Sequence, residues 1–243
     1  MRPRSLKFLL NSKNNFLRKV YFFYNIYLRN FKYLRGRSQF NEDTYISSFF
    51  EKDYKGKFVD LGCFHPTRDN NTFKFYKKKW KGINVDLNPI TIELFNFFRS
   101  NDTNINCAIS DKKTLKKMYF VNDFSPLNTL DINHLKFLKK NFLFKNKDFQ
   151  EKKIKSENIN NILKKHKFDK VDFLNIDLEG LEYEVIKSIN FKKYKINLIC
   201  IEILDHNKQS KDKSKKILKI LKKNNFRYLK KIGVNSIFKN ISF

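Results

Sequence analysis

From Arg37 onward, short apolar runs alternate with stretches whose apolar residues recur at helical spacing. KFVDL (Lys57–Leu61), GINVDL (Gly82–Leu87), NINCAI (Asn104–Ile109), VDFLNI (Val171–Ile176) and LICIEIL (Leu198–Leu204) read as strands apolar on both faces. Between them, Thr72–Lys79, a segment opening at Asn88-Pro89, Asn158–Lys167 and Leu181–Ile189 read as helices. The second carries Ile92, Leu94, Phe95 and Phe98 near helical spacing, with Pro89 in the first turn, where its missing N–H costs nothing. Strands alternating with helices require a parallel sheet covered on both sides. Lys211–Lys223 predicts a further helix, and Phe226–Lys230 with Val234–Phe238, around Gly233, predicts a closing antiparallel hairpin. Met118–Val121 reads as an extra strand, and the charged, irregular stretch Asn122–Ser156, with room for short helices, as an insertion lying over the sheet. The expected class is therefore α/β, a Rossmann-like sheet of five parallel strands with a C-terminal hairpin.

Residues 1–37 stand apart as a basic, aromatic helical segment, leaving 38–243 for the sheet domain. FLRKVYFFYNIYLRNFKYL (Phe16–Leu34) is interrupted by Arg18, Lys19, Arg29 and Lys32, so it lacks the roughly 18 uncharged residues of a membrane span. Two roles suit it: packing its rings on the domain or on a second copy of the chain, or lying flat on an anionic membrane. The apolar stretch after Arg2, Arg4 and Lys7 is too broken for a secretion signal, so a cytoplasmic location is expected, peripheral to the inner membrane face if the segment binds lipid.

Composition sharpens this picture. The 243 residues are 41% hydrophobic with 27 Phe, enough for one large core and too apolar for a disordered chain. Fifty-two Lys and Arg against 24 Asp and Glu give a net charge of +28, which by itself points to nucleic acid or an anionic surface. But 43 of those cations are Lys and only 9 are Arg, beside 30 Asn, as AT-rich codon drift would produce. Arginine, the bidentate phosphate binder, is the scarce one, so no specific nucleic-acid partner is expected. Cys63, Cys107 and Cys200 lie far apart in apolar runs and read as buried free thiols, with neither a disulfide framework nor a zinc site.

In open α/β sheets the ligand lies outside the carboxyl ends of the strands, which makes the strand tips informative. The first tip reads Asp60-Leu61-Gly62-Cys63-Phe64-His65-Pro66, one of only six glycines following an acid. Gly62 would let backbone approach a ligand closely. The second tip carries Asp86-Leu87, and an acid there suits ribose hydroxyls, although it would also serve as the N-cap of the helix at Pro89. The third, Cys107-Ala108-Ile109-Ser110, offers small walls for a purine. The fourth, Asp177-Leu178-Glu179-Gly180-Leu181-Glu182, is the densest acid cluster in a basic chain. Asp177 and Glu179, two apart, would point the same way in extended backbone and share a proton or a cation, though the residues for a full metal site are not apparent. Glu202 sits in an apolar strand and needs a partner or a place at the site rim, and Asp205-His206 follow it.

Taken together, SQFNED (Ser38–Asp43), FVDLGCFHP (Phe58–Pro66), NNTFKFYKKKWKGINVDLNP (Asn70–Pro89), NCAIS (Asn106–Ser110) and VDFLNIDLEGLEYEVIKS (Val171–Ser188) resemble the FkbM-type methyltransferases, class I enzymes that use S-adenosylmethionine. The resemblance implies that Asp60 and Gly62, with Cys63, form the methionine-side loop. It implies further that Asp86, with Leu87, holds the ribose, and that Ala108, Ile109 and Ser110 border the adenine. Asp177, Glu179 and Gly180 match the family's acid motif facing the methyl group. Where the general class I pattern has a second glycine, this chain has His65-Pro66. The implied chemistry is methyl transfer to an oxygen, with a sugar, glycan or lipid-linked sugar as acceptor. Asp177, then His65, then Glu179 are the candidates for general base. The competing reading is a non-catalytic basic protein that binds nucleic acid or a membrane surface on the same fold.

Overall fold

The computed structural model describes residues 6–12, 14–36, 38–121, 125, 128–141, 149–203 and 208–243. Five strands run parallel in its main sheet: β1 (Lys57–Leu61), β2 (Lys81–Asp86), β3 (Thr103–Asn106), β7 (Lys170–Ile176) and β8 (Lys195–Glu202). Antiparallel β9 (Phe226–Ile232) and β10 (Asn235–Asn240) complete the order β3-β2-β1-β7-β8-β10-β9, and five parallel strands with a closing hairpin are what the sequence predicts. The order turns back at β1, which lies between β2 and β7, so the crevice for a ligand opens at the carboxyl ends of these three strands.

Side-chain alternation divides the core into two. Val59, Leu61, Leu174, Ile176, Ile199 and Ile201 face one side of the sheet, where Ile159, Ile162, Val185, Ile186, Ile217 and Leu221 cover them. Those covering residues come from α6 (Ile159–Lys165), α7 (Glu182–Ser188) and α8 (Lys208–Lys223). Phe58, Phe173, Leu198, Cys200 and Ile237 face the other side, against Ile46 of α2 (Glu42–Ser47), Phe75 of α3 (Phe73–Lys77) and Trp80. The helix α4 (Pro89–Phe98) starts as the sequence predicts, with Asn88 as its N-cap: the Asn88 side chain accepts from the Ile90 N–H. All three cysteines are buried and free.

The third apolar run is not one strand. β3 ends at Asn106, and Cys107 donates its N–H to the carbonyl of Asp86 at the last rung of the main sheet. The chain then forks away: β4 (Ala108–Ile109) pairs in parallel with β6 (Gln150–Glu157), which pairs antiparallel with β5 (Thr114–Phe120). The stretch read as an irregular insertion with short helices thus contains the helix α5 (Ile132–Asn141) and β6, and β6 lies between β4 and β5 in a second sheet of three strands. Periodicity missed β6 because QEKKIKSE is polar on both faces, and the burial pattern bears this out.

In the N-terminal segment, α1 (Asn15–Phe23) runs into a π-helical turn (Tyr24–Arg29) and a 3-10 turn (Phe31–Arg35). Leu10, Tyr21, Phe22 and Ile26 bury themselves against Ile90 and Leu94 of α4, and Arg18 pairs with Glu93. Among the described residues, no helix is long and apolar enough to cross a membrane.

Candidate active site

A cavity of about 510 Å³ opens at the carboxyl ends of β1, β2 and β7. It brings together Asp60, Gly62, Cys63, Asp86, Leu87, Ala108, Ile109, Asp177 and Glu179, nine of the eleven residues singled out from the strand tips.

Asp60 is buried at the tip of β1, and its carboxylate is fully engaged. Asn175 donates to one oxygen (2.9 Å), while Thr72 (2.8 Å) and Asn70 (3.1 Å) donate to the other. Burial raises its pKa, and these donors with the nearby Arg99 pull it back. Asp60 therefore shapes the floor of the cavity and fixes the loop behind it. Gly62 has a different reason from the one its sequence context suggests. Its φ is +81°, and a Cβ there would lie 1.7 Å from the backbone oxygen of Asp177. It is the tip of β7, not a ligand, that demands a glycine.

Asp86 braces both loops that flank the tip of β2. One oxygen accepts from the Phe64 N–H (3.0 Å) in the loop after β1, and the other from the Asn88 N–H (2.7 Å) ahead of α4. It is not the N-cap, a role Asn88 fills, and each oxygen keeps a second lone pair for a ligand. Burial raises its pKa to about 6 despite the two backbone donors.

The acid loop after β7 is held from three directions. Glu182 folds back so that one oxygen accepts from the N–H groups of Leu178 (3.0 Å) and Gly180 (3.2 Å). Thr129 donates to the carbonyl of Glu179, and Lys213 of α8 donates to that of Gly180 while reaching Asp131. Glu179 itself takes a left-handed φ of 52°, unusual for a residue with a Cβ, and its carboxylate lies 3.3 Å from His134 of α5. Asp177, Glu179 and Glu202 each offer a carboxylate oxygen, and the three oxygens lie within 4.8 Å of one another. Asp177 opens to the cavity, yet the surrounding protein still strips water from it, and neighbouring carboxylates add to the effect, so its pKa rises. Desolvation and mutual repulsion raise Glu179 and Glu202 in the same direction. One oxygen of Glu202 is buried with no hydrogen-bond partner among the described residues. Acids crowded together out of water in this way favour retention of a proton or the approach of a cationic ligand.

Two expected site residues fall elsewhere. His65 is buried off the cavity, with both ring nitrogens occupied: Nε2 donates to Asn25 (2.8 Å), and Nδ1 accepts from the N–H groups of Arg68 (3.0 Å) and Thr67 (3.2 Å). Burial and the cations Arg68, Arg99 and Arg29 hold its pKa well below 6.5. It is a neutral brace between the N-terminal segment and the loop after β1, and it is out of reach of an acceptor. Ser110 turns into the second sheet, where its hydroxyl donates to the Lys112 carbonyl (2.6 Å) and meets Ser156 (3.0 Å). Asp205 and His206 lie outside the described residues.

Other lining residues escaped the strand-tip reasoning. Arg68, the one cation on the described wall, comes from the loop after β1, and Asn128 and Leu130 come from the insertion. Asn70, Asn71 and Asn175 are indistinguishable by type from the many other asparagines of the chain.

No curated protein matches the chain. A crystal structure of methyltransferase FkbM from Methylobacillus flagellatus KT is similar at 13% identity and a TM-score of 0.49, over 97% of this chain and 58% of that one. This chain thus spans less than two thirds of that protein's length. The family described as the methyltransferase FkbM domain matches residues 46–228, from within α2 to within β9. That match takes in every strand tip around the cavity, and by it the chain belongs to the FkbM family of methyltransferases.

Proposed function

We propose that the chain is an S-adenosylmethionine-dependent O-methyltransferase whose acceptor is a hydroxyl of a sugar or glycan, free or lipid-linked. The observation that carries this reading is the charge layout of the cavity: carboxylates at the tips of β1, β2, β7 and β8 and, among the described lining residues, one cation, Arg68, with Asp69 beside it. A ligand with ribose hydroxyls, a positive sulfur and an amino-acid end matches that layout. Asp86 would accept from the ribose, Cys107, Ala108 and Ile109 would wall the purine, and Arg68 would pair with the α-carboxylate. The acid side, Asp177 and Glu179, faces the cationic part. The volume lies within the range of about 300–1,000 Å³ usual for small-molecule sites.

When bound, the cofactor supplies a methyl group activated by its sulfonium. The chain's own share is to orient the acceptor and to take its proton. Positioning of that kind contributes on the order of 7–11 kcal/mol, and a base adds about 10²- to 10⁴-fold. Asp177 is the base: it opens to the cavity, and its raised pKa makes it a stronger proton acceptor than a solvated carboxylate.

Calorimetric titration with S-adenosylmethionine tests the cofactor, and no heat at millimolar ligand overturns it. Mass spectrometry of surface polysaccharide from cells with and without the gene tests the acceptor, the expected difference being the mass of one CH₂. Cofactor binding with no such difference would leave the transferase reading and remove the glycan.

A further inference from the structure

The face of the N-terminal segment that turns away from α4 is aromatic, and the charged residues that the segment itself supplies around it are all cations. Phe16, Val20 and Phe23 follow one another at steps of four and three residues along α1, so they line one side, and Phe31 continues the row beyond Tyr27, whose ring meets that of Phe98 at the end of α4 and marks the edge of this face. Phe16, Phe23 and Phe31 are 69%, 51% and 64% exposed. The opposite side, with Tyr21, Phe22 and Ile26, is the one anchored in the domain. The segment therefore has a docked face and an undocked one, both apolar.

Its charge is not that of the rest of the chain. Residues 1–41 contain ten Lys and Arg and no Asp or Glu. Six of the nine arginines fall within residues 1–37, against three in the remaining 206. Drift toward lysine codons would account for a general excess of Lys and would work against this concentration of Arg. Guanidinium is the cation that meets phosphate with two parallel hydrogen bonds. Lys19, Arg29, Lys32 and Arg35 are all exposed.

We infer that this face docks on an anionic phospholipid bilayer, with the rings seated among the headgroups and the cations on lipid phosphates. A second copy of the chain would bring an equally acid-free surface against it and be repelled. The inference is independent of what the cavity binds.

Sedimentation of the full chain with vesicles tests it. At near-physiological salt, binding is expected to phosphatidylcholine vesicles containing phosphatidylglycerol and not to phosphatidylcholine alone. Phe16→Ser with Phe23→Ser, and separately Lys19→Glu with Lys32→Glu, should each lower partitioning about tenfold or more. Lys215→Glu with Lys219→Glu, the same change of charge on exposed positions of α8, should leave it nearly unchanged. Thermal unfolding of each variant, expected to match that of the parent, shows that these surface changes leave the fold intact. An equal loss in the α8 variant would overturn the inference in favour of attraction by overall charge. So would failure of the parent chain to sediment, or a dimer in solution that Phe16→Ser with Phe23→Ser converts to monomer.

Discussion

Asp60 and Arg99 are joined through two shared side chains. Thr72 donates to Asp60 (2.8 Å) while accepting from Arg99 (2.9 Å), and Asn70 donates to Asp60 (3.1 Å) through its nitrogen while its oxygen accepts from Arg99 (2.7 Å). Both charges are buried, and Arg99 also donates twice to the carbonyl of Pro66. Burial lowers the Arg99 pKa to about 10, so it stays charged at neutral pH. The loop that rims the cavity is thereby tied to α4 on one side and β1 on the other.

Breaking this arrangement from one end leaves an uncompensated charge. Arg99→Met is expected to cost about 3–5 kcal/mol of stability, the usual penalty for removing one member of a buried pair. Urea unfolding of parent and variant measures it. A loss below about 1 kcal/mol would mean that Asp60 is satisfied by its neutral donors alone.

Asp86 should control ligand affinity and its pH dependence. Asp86→Ala is expected to weaken S-adenosylmethionine binding by about 1.5–3 kcal/mol, the range for hydrogen bonds to a charged group. The ionised form accepts better from hydroxyls, and its pKa is about 6, so affinity should be flat above neutrality and fall as pH drops through 6. Calorimetry across that window checks both. A variant that keeps both the affinity and the pH dependence of the parent would assign the residue to bracing the Phe64 and Asn88 loops alone.

The acid group at β7 and β8 separates chemistry from stability. Asp177→Asn should leave cofactor affinity nearly intact and lower kcat by roughly 10²- to 10⁴-fold. A rise in KM with kcat unchanged would make the residue an acceptor-orienting group instead. Glu202→Gln tests the repulsion. Raised native pKa values mean that the unfolded chain releases its protons first, so the group's contribution to stability is full below about 4.5 and is lost as pH rises. The variant should therefore gain on the parent in melting temperature as pH increases, and parallel curves would show that the carboxylates do not repel.

These tips were readable in the chain because buried strands end in acids against a basic background: Asp60, Asp86 and Asp177 needed only the rule for ligands in open sheets. The second sheet was not readable. β6 pairs with β5 across a connection of some thirty residues, and its polar pattern carries no period that local reasoning can detect. His65 misled for a related reason, since its partner Asn25 is 40 residues away and only the folded N-terminal segment delivers it. Ser110 likewise lies where β4 has already left the main sheet.

His65 should betray itself by pH. The unfolded imidazole takes a proton below about 6.5 and the buried one does not, so its contribution to stability is present above 6.5 and is lost as pH falls. His65→Gln should flatten the acid side of the stability profile by up to about 1.4 kcal/mol per pH unit. Turnover per folded molecule should remain within a few-fold of the parent. A collapse of kcat with the fold intact would return His65 to the list of bases.

The backbone contact at Gly62 also bears on what the chain's history can have changed. The chain is rich in lysine and asparagine, and exchanges toward them on an exposed surface cost a folded protein little. At position 62 even one added carbon would have to displace the main chain at Asp177, just past β7, because the atom in the way is a backbone oxygen and not the end of a flexible side chain. Mutational pressure can repaint the outside of such a molecule indefinitely and still find this position closed, whatever acceptor the cavity comes to serve.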